Sequence, residues 1–437
     1  MKSKTMMSTA LAIGALLNVS GVAFAQQGAP IAGYKLLTTI TVPSGIAQDA
    51  IAWLDTSMAR LYVADPGNTR IIVINTLNST YLTSIPVAAA PNGVLAVSRA
   101  REVWAALANS TVAVINTDSN TVTSSVNTGG TGRAGKIAYD AVDQLIMVAN
   151  DQDSPPFITF INEPTQTVVQ SVRFDGTQAP KATNGLGQPM WNAAAGKFYM
   201  SVPATATNPQ GEVDEIDPIQ MTVTRTFAGS CTPAGLALLP GERLITSCGD
   251  VIDVSSGKLV TTIPGVAADE IWYNSGDKRV YFGGGMTTTT VPVIDGVKYS
   301  LMTSLVAGQL QAAPLANQTS LRLAVDTESN QIYVPVTGVG VQVWRNGAYL
   351  TAFPLPVPDD GAFGIATLTW FAPNATAIEI HIGSPSGPLF LSGPNRGSAQ
   401  TGAWVTDGMT FYLQDVSTGN PLTLANTMAT LVVTVQQ

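Results

Sequence analysis

The 437-residue sequence contains only one histidine, His381, and two cysteines. A single histidine excludes metal centres built from clustered imidazoles, and its position near the C-terminus excludes a Ser-His-Asp triad within the preceding repeats. We expect His381 to face solvent, because it lies in a segment that alternates Ile with polar residues. No CxxCH motif for haem attachment is present, and no Lys-Ser or Lys-Thr follows the glycines at 283–285 to form a phosphate-binding loop.

Charged residues are also few. They make up 11% of the chain, and its formal net charge is −8. The 21 basic residues are scattered, whereas a nucleic-acid surface needs clustered Lys and Arg. We therefore expect no nucleic-acid partner. The 40 Gly and 27 Pro residues are typical of a chain with many turns, as in an all-β protein.

Six short apolar segments end in the same dipeptide, Ile followed by Asn or Asp. They lie at Ile74-Asn75, Ile115-Asn116, Ile161-Asn162, Ile216-Asp217, Ile252-Asp253 and Ile294-Asp295. The spacing of 36 to 55 residues, with no helical pattern inside it, is typical of a four-stranded β-propeller blade.

A second pattern runs in phase with the first. An Asp or Asn closes one apolar segment, and a segment rich in β-branched and aromatic residues follows after a short turn, as from Asp55 to Leu61-Tyr62-Val63. The first strands of the repeats are predicted to start near Ala50, Asn92, Lys136, Gln188, Pro233, Asp269 and Arg322. The sequence thus predicts seven blades, with the outer strand of the last supplied either by 348–353 or by the N-terminal 34–42.

The segments Arg60-Leu-Tyr-Val-Ala-Asp65 and Arg70-Ile-Ile-Val-Ile-Asn75 resemble the YVTN-type (YncE-like) propeller repeat of exported bacterial proteins. The resemblance extends over residues 33–353. It implies a β-propeller and export, but it implies no catalytic residues and no substrate.

The first 25 residues have the pattern of a cleaved signal peptide. Lys2 and Lys4 precede an apolar run, and Ala23-Phe24-Ala25 provides a small-x-small cleavage site. The interrupted run is short for a membrane span, and no Cys follows the site to carry a lipid anchor. We expect a periplasmic or secreted protein with no transmembrane segment after cleavage.

The two cysteines, Cys231 and Cys248, flank one predicted hairpin, whose turn lies near Leu239-Pro240-Gly241. Reflection through that turn places them opposite each other, which predicts a disulfide in an oxidising compartment. A metal pair is disfavoured because there is no neighbouring His and no second Cys pair.

The repeat pattern stops near residue 353. Residues 354–361 contain three prolines and predict a stiff linker. Residues 362–437 carry short alternating strands at 366–371, 377–382, 389–392, 408–415 and 430–435, which predict a β-sandwich of the immunoglobulin or fibronectin type III kind.

Binding residues are expected on the face where the first strand of each blade begins. In a four-stranded blade, the connections between successive blades and those between the second and third strands emerge on that face. The longest predicted ones are 150–156, 175–187 and 203–212 of the third and fourth blades. The candidate ligand-binding residues are Asp151, Asp153, Lys181, Asn184, Gln188, Glu212, Asp269 and Glu270. We assign no catalytic residue and no metal ligand, although Asp151 and Asp153 leave Ca²⁺ open as a cofactor.

The sequence therefore favours a monomeric, exported, non-enzymatic propeller. Its expected ligand is a small molecule, a peptide or an envelope polymer, bound on the face described above near blades 3 and 4. The alternative is a propeller hydrolase or lactonase that uses Asp, Glu and Ca²⁺ without histidine, because a propeller fold does not by itself determine function.

Overall fold

The computed structural model describes residues 34–48, 51–283, 290–306, 322–346, 348–358, 363–372 and 375–436. The predicted signal peptide and Ala50, where the first repeat was predicted to start, lie outside the described residues. The described part is built from β-strands, with four short 3-10 turns at Pro66–Asn68, Ser98–Ala100, Ser417–Gly419 and Leu424–Asn426.

Seven antiparallel four-stranded sheets, here called ring sheets 1 to 7, occupy the chain up to residue 346. In ring sheets 1 to 6 the strands lie in sequence order. The strands of ring sheets 1 to 3 are β2 Ala52–Asp55, β3 Arg60–Asp65, β4 Arg70–Asn75, β5 Thr80–Pro86; β6 Pro91–Val97, β7 Glu102–Leu107, β8 Thr111–Asn116, β9 Thr121–Asn127; β10 Ile137–Asp140, β11 Leu145–Asn150, β12 Phe157–Asn162 and β13 Thr167–Arg173.

The strands of ring sheets 4 to 6 are β14 Pro189–Asn192, β15 Lys197–Val202, β16 Glu212–Asp217, β17 Thr222–Ala228; β18 Leu236–Leu239, β19 Arg243–Thr246, β20 Asp250–Asp253, β21 Lys258–Thr262; β22 Glu270–Asn274, β23 Arg279–Gly283, β24 Thr290–Asp295 and β25 Ser300–Val306. Ring sheet 7 contains β26 Ala324–Asp326, β27 Gln331–Val336 and β28 Gly340–Asn346, and its outer strand is the N-terminal β1 Tyr34–Ile40.

The first strands of the ring sheets contact one another in a closed cycle. β2 contacts β6, and the contacts continue through β10, β14, β18, β22 and β26, which in turn contacts β2. The chain therefore has the predicted all-β, propeller-like fold, with a central axis surrounded by seven short strands.

The N-terminal strand closes the cycle, which decides between the two closures that the sequence left open. β1 pairs antiparallel with β28 from Tyr34 opposite Asn346 to Ile40 opposite Val341. Tyr34 also binds the neighbouring ring sheet 6, where its hydroxyl lies 2.9 Å from that of Tyr281 and accepts a hydrogen bond from Arg279 Nη1 at 2.9 Å. These contacts tie the N-terminal strand to two sheets at once.

Each Ile-Asn or Ile-Asp pair ends the third strand of a ring sheet and shapes the strand end and the turn next to it. In all six sheets the pairing of the third and fourth strands shifts register immediately before the Ile. The Asn or Asp side chain then accepts hydrogen bonds from backbone N–H groups of the following turn, as Asn75 does from Leu77 at 2.9 Å. The repeated dipeptide is thus explained by a bulge followed by a side-chain-capped turn.

A second unit follows the ring. Its strands are β29 Tyr349–Phe353, β30 Val357–Pro358, β31 Thr367–Phe371, β32 Ile378–Ile382, β33 Leu389–Gly393, β34 Arg396–Gln400, β35 Thr410–Asp415, β36 Thr427–Val432 and β37 Val435–Gln436. One sheet has the order β29-β31-β34 and the other β33-β32-β35-β36, and β30 pairs in parallel with β37. Leu368 and Trp370 of the first sheet pack with Ile380 and Phe411 of the second in one core, as a two-sheet sandwich requires.

The sandwich begins earlier than predicted. We assigned residues up to 353 to the propeller and 354–361 to a linker, but β29 pairs with β31 of the sandwich, and Val357 of β30 is buried in its core. The cause is one face of β29, because Leu350 and Ala352 lie on either side of Thr351 and pack inside the sandwich. Such alternation predicts a strand without indicating which sheet will accept it.

The prediction that His381 faces solvent is wrong. Its side chain is 4% exposed, with Nδ1 2.8 Å from the Gly387 carbonyl oxygen and Nε2 2.9 Å from Glu379 Oε2. The alternation of β32 itself holds, because β32 pairs with β35 through His381 without a register shift. The His381 ring is buried because the connection into β33 covers that side of the strand and contacts the ring through the Gly387 carbonyl group.

The predicted disulfide between Cys231 and Cys248 is confirmed, with the two Cα atoms 5.9 Å apart. Cys231 lies in the connection into β18, and Cys248 follows β19. The bond therefore joins two connections on one edge of ring sheet 5.

Candidate functional site

One edge of the ring, here called the mouth edge, is where the first strand of every ring sheet begins. Because the sheets are antiparallel and in sequence order, the connections between second and third strands and those between successive sheets emerge there. The strand bounds leave connections at 151–156, 174–188 and 203–211, as the sequence predicted.

A cavity of about 110 Å³ lies at the mouth edge, close to the axis, and we call it the mouth cavity. Its lining residues come from the connections preceding the first strands, from the start of β6 and from the connections that follow β3 and β11. The lining consists of Gln48, Pro66, Asn92, Arg133, Gly135, Lys136, Asp151, Leu186, Gly187 and Arg322. Three of these side chains are cationic and one is a carboxylate, although the whole protein carries a net charge of −8.

Ion pairs and hydrogen bonds hold the charged side chains of the mouth cavity, and those of Arg322 and Lys136 join different ring sheets. Arg133 forms a two-pronged ion pair with Asp151, with Nε 3.0 Å from Oδ1. Arg322 Nη2 lies 2.8 Å from Asp269 Oδ2, so this pair joins ring sheets 6 and 7. Lys136 reaches across the axis and donates to the backbone carbonyl of Asp269 at 2.8 Å. These contacts fix the direction of each positive charge before a ligand arrives.

Two groups near the axis have strongly shifted pKa values. Burial, together with the positive charge of the neighbouring Arg322, lowers the pKa of Lys136 to about 8. Burial raises the pKa of Glu270 to about 7, even though Arg322 and Lys136 both favour its charged form. Trp272 Nε1 donates to Glu270 Oε1 at 3.2 Å. The desolvation of Glu270 therefore outweighs the attraction of two cations.

Of the predicted ligand-binding residues, only Asp151 lines the mouth cavity. Asp269 and Glu270 act on residues that do line it. Asp269 forms an ion pair with Arg322, and the charge of Glu270 affects Lys136. Gln188 is half-buried deeper along the axis and lines a second cavity, described below. The sequence predicted that these residues lie at the mouth edge, and the structure gives the position of each side chain along the axis.

Two predicted residues instead stabilise their own connections. Asp153 Oδ1 accepts hydrogen bonds from the backbone of Thr131 at 2.8 Å and of Gly132 at 3.2 Å. Glu212 is fully buried and accepts a hydrogen bond from Thr205 Oγ1 at 2.9 Å. One oxygen of each carboxylate is therefore bonded within these connections, and neither residue lines the mouth cavity.

The other two predicted residues, Lys181 and Asn184, are exposed on the connection between β13 and β14. They do not belong to the lining of the mouth cavity. Sequence reasoning missed Arg133, which lies four residues before β10 and contributes one of the three positive charges. Only its position in the sequence could have indicated Arg133, because, like Lys136 and Arg322, it lies just before a first strand.

The described residues offer little to a Ca²⁺ ion. Asp151 is paired with Arg133, and Asp153 is bonded to backbone N–H groups, so the two carboxylates are not directed at one point. Within the described part of the chain, the one group of three potential ligands is Cys231, Cys248 and Asp250. Both of its sulfur atoms are used in the disulfide, and Asp250 accepts hydrogen bonds from Ser230.

Comparisons of the chain with protein-family models and with curated proteins find no match. None of the described segments forms a helix that is long and apolar enough to span a membrane.

Proposed function

We propose that this chain is an exported, non-enzymatic binding protein of the YVTN-repeat type and that its ligand enters the mouth cavity with a carboxylate group. The observation that supports the proposal is the charge of the cavity lining, three cations against one carboxylate, in a protein that is acidic as a whole. An anionic group is attracted to such a lining, and its attraction is strengthened where the protein excludes water. The disulfide and the N-terminal pattern support export.

The size of the mouth cavity limits what it can hold. A volume of about 110 Å³ accommodates a small acid or the carboxylate end of a longer molecule, such as a peptide or an acidic polymer. Arg133 and Arg322 present planar guanidinium groups, which suit carboxylates, and Lys136 adds a point charge.

Succinate is a suitable probe, with neutral succinamide as its matched control, measured by isothermal titration calorimetry on the whole chain. We expect succinate to bind and succinamide not to bind. The Lys136→Gln variant should weaken the affinity at least tenfold, about 1.4 kcal/mol. Lys181→Gln, which removes an exposed cation from the adjacent connection, should leave the affinity unchanged. Loss of binding in Lys181→Gln but not in Lys136→Gln would place the site on the connections instead.

A hydrolase is the second candidate, and one observation favours it. A lysine with a pKa of about 8 beside a glutamate with a pKa of about 7 is an arrangement that enzymes use for proton transfer. Assays with lactone and ester substrates distinguish the two candidates. Turnover that is lost in Glu270→Gln would favour the hydrolase, and absence of turnover together with succinate binding would favour the binding protein.

A further inference from the structure

A second cavity of about 340 Å³, here called the axial cavity, lies along the ring axis beyond the mouth cavity. Its walls are the first strands of ring sheets 1 to 6, and its most prominent side chains are Trp53, Trp191, Trp272 and Tyr139. Its volume falls within the range of roughly 300–1,000 Å³ that is usual for small-molecule sites. All four aromatic side chains are half-buried, so each has surface that is still accessible.

The aromatic rings of the axial cavity are held in fixed positions. Trp53 and Trp272 meet edge to face, with ring centroids 5.5 Å apart, although they belong to ring sheets 1 and 6. Trp191 packs on Phe198 at 4.8 Å. Rigid, flat, apolar walls favour a flat, apolar ligand, because stacking on them costs little conformational entropy.

Polar groups at one end of the axial cavity add a second requirement. Gln188 lines the cavity, and its Oε1 atom is buried without a hydrogen-bond partner among the described residues. Oε2 of the adjoining Glu270 is also buried without a hydrogen-bond partner among the described residues. A buried acceptor without a partner costs roughly 1–3 kcal/mol, which a donor on a ligand would recover.

We infer that the axial cavity binds a one- or two-ring aromatic compound that carries a hydroxyl group. The rings stack among the tryptophans, and the hydroxyl donates to the Gln188 amide oxygen. The site differs from the mouth cavity in its residues and in its chemistry. It holds a neutral aromatic molecule, whereas the mouth cavity attracts an anion.

The test compares 2-naphthol with 2-methoxynaphthalene, which has the same rings but no hydroxyl donor. Calorimetric titration of the whole chain should give one 2-naphthol site, with an affinity about tenfold higher than that for 2-methoxynaphthalene. Gln188→Leu removes the acceptor and should abolish this difference by weakening 2-naphthol alone. Met190→Trp places a large side chain on the cavity wall and should prevent both compounds from binding.

The matched control for Met190→Trp is Ile219→Trp, which adds the same side chain at a turn position that is 82% exposed. It should bind both compounds as the original chain does. Unchanged 2-naphthol binding in a folded Met190→Trp protein, or no saturable binding by the original chain, would overturn the inference. Equal affinity for both compounds would refute the role of the hydroxyl. Succinate binding is measured separately, so the two proposals fail independently.

Discussion

Glu270 should make the stability of the ring depend on pH, and the expected size of the effect follows from its environment. The side chain is fully buried, and its pKa is about 7 instead of the ordinary 4.5. In the unfolded chain the carboxyl group ionises near pH 4.5, but in the folded protein it keeps its proton to about pH 7. The folded state therefore binds more protons between these values, and the free energy of unfolding falls as the pH rises.

The corresponding loss of stability is roughly 3 kcal/mol across that window, given 1.36 kcal/mol for each pKa unit. The substitution Glu270→Gln removes the ionisation and retains an oxygen that can accept the hydrogen bond from Trp272. Relative to the original chain, this variant should gain stability steadily from pH 4.5 to pH 7. The gain should level off above pH 7, where the original side chain is already ionised.

Urea unfolding followed by tryptophan fluorescence at several pH values measures this difference. Glu242→Gln is the control, because Glu242 is exposed and its neutralisation leaves no buried charge to relieve. Other buried carboxyl groups, such as Asp214 with a pKa of about 8, contribute equally to the original chain and the variant. A stability difference between Glu270→Gln and the original chain that stays constant from pH 4.5 to pH 8 would refute the reasoning.

Three further predictions concern the framework of the protein. Thiol titration of the unfolded, unreduced chain should detect no free cysteine at positions 231 and 248, and the double replacement by Ser should lower the unfolding free energy by about 3 kcal/mol, given a sequence separation of 17 residues. Arg345→Leu should speed protease cleavage between the ring and the sandwich. The buried guanidinium of Arg345 stacks 3.4 Å from the Tyr349 ring centroid, and its Nε donates to the Ser329 carbonyl oxygen. Unchanged cleavage would contradict this prediction. Deleting residues 34–40 should expose the edge of β28 and cause aggregation visible by light scattering, whereas a monodisperse product would show that another segment closes the ring.

The repeats of the ring were predictable because their cause is local. The Ile-Asn and Ile-Asp pairs encode a bulge and a capped turn within a few residues of themselves, so their spacing reveals the sheets directly. The end of the ring was not predictable in the same way. The strand at 349–353 suits either the seventh ring sheet or the sandwich, and its partner is decided by pairing with β31, a separate strand that begins 14 residues later.

The candidate site shows the same division between local and long-range causes. Asp153 and Glu212 were predicted to bind a ligand because they lie in or beside long connections. The backbone N–H and side-chain donors of a long connection need hydrogen-bond acceptors, and these two carboxylates supply them. Asp250 has the same role in ring sheet 5, where it accepts hydrogen bonds from Ser230 and Thr262.

Which side chains come together near the ring axis depends instead on the closure of the ring. Arg133, Lys136 and Arg322 are separated by up to 189 positions in the chain but line one cavity, because each lies just before a first strand and the first strands form a closed cycle. Three of the four charged residues of the mouth cavity therefore lie before a first strand, and only Asp151 belongs to a long connection. Asp153 and Glu212, the other carboxylates predicted in the long connections, instead accept hydrogen bonds that hold those connections in place.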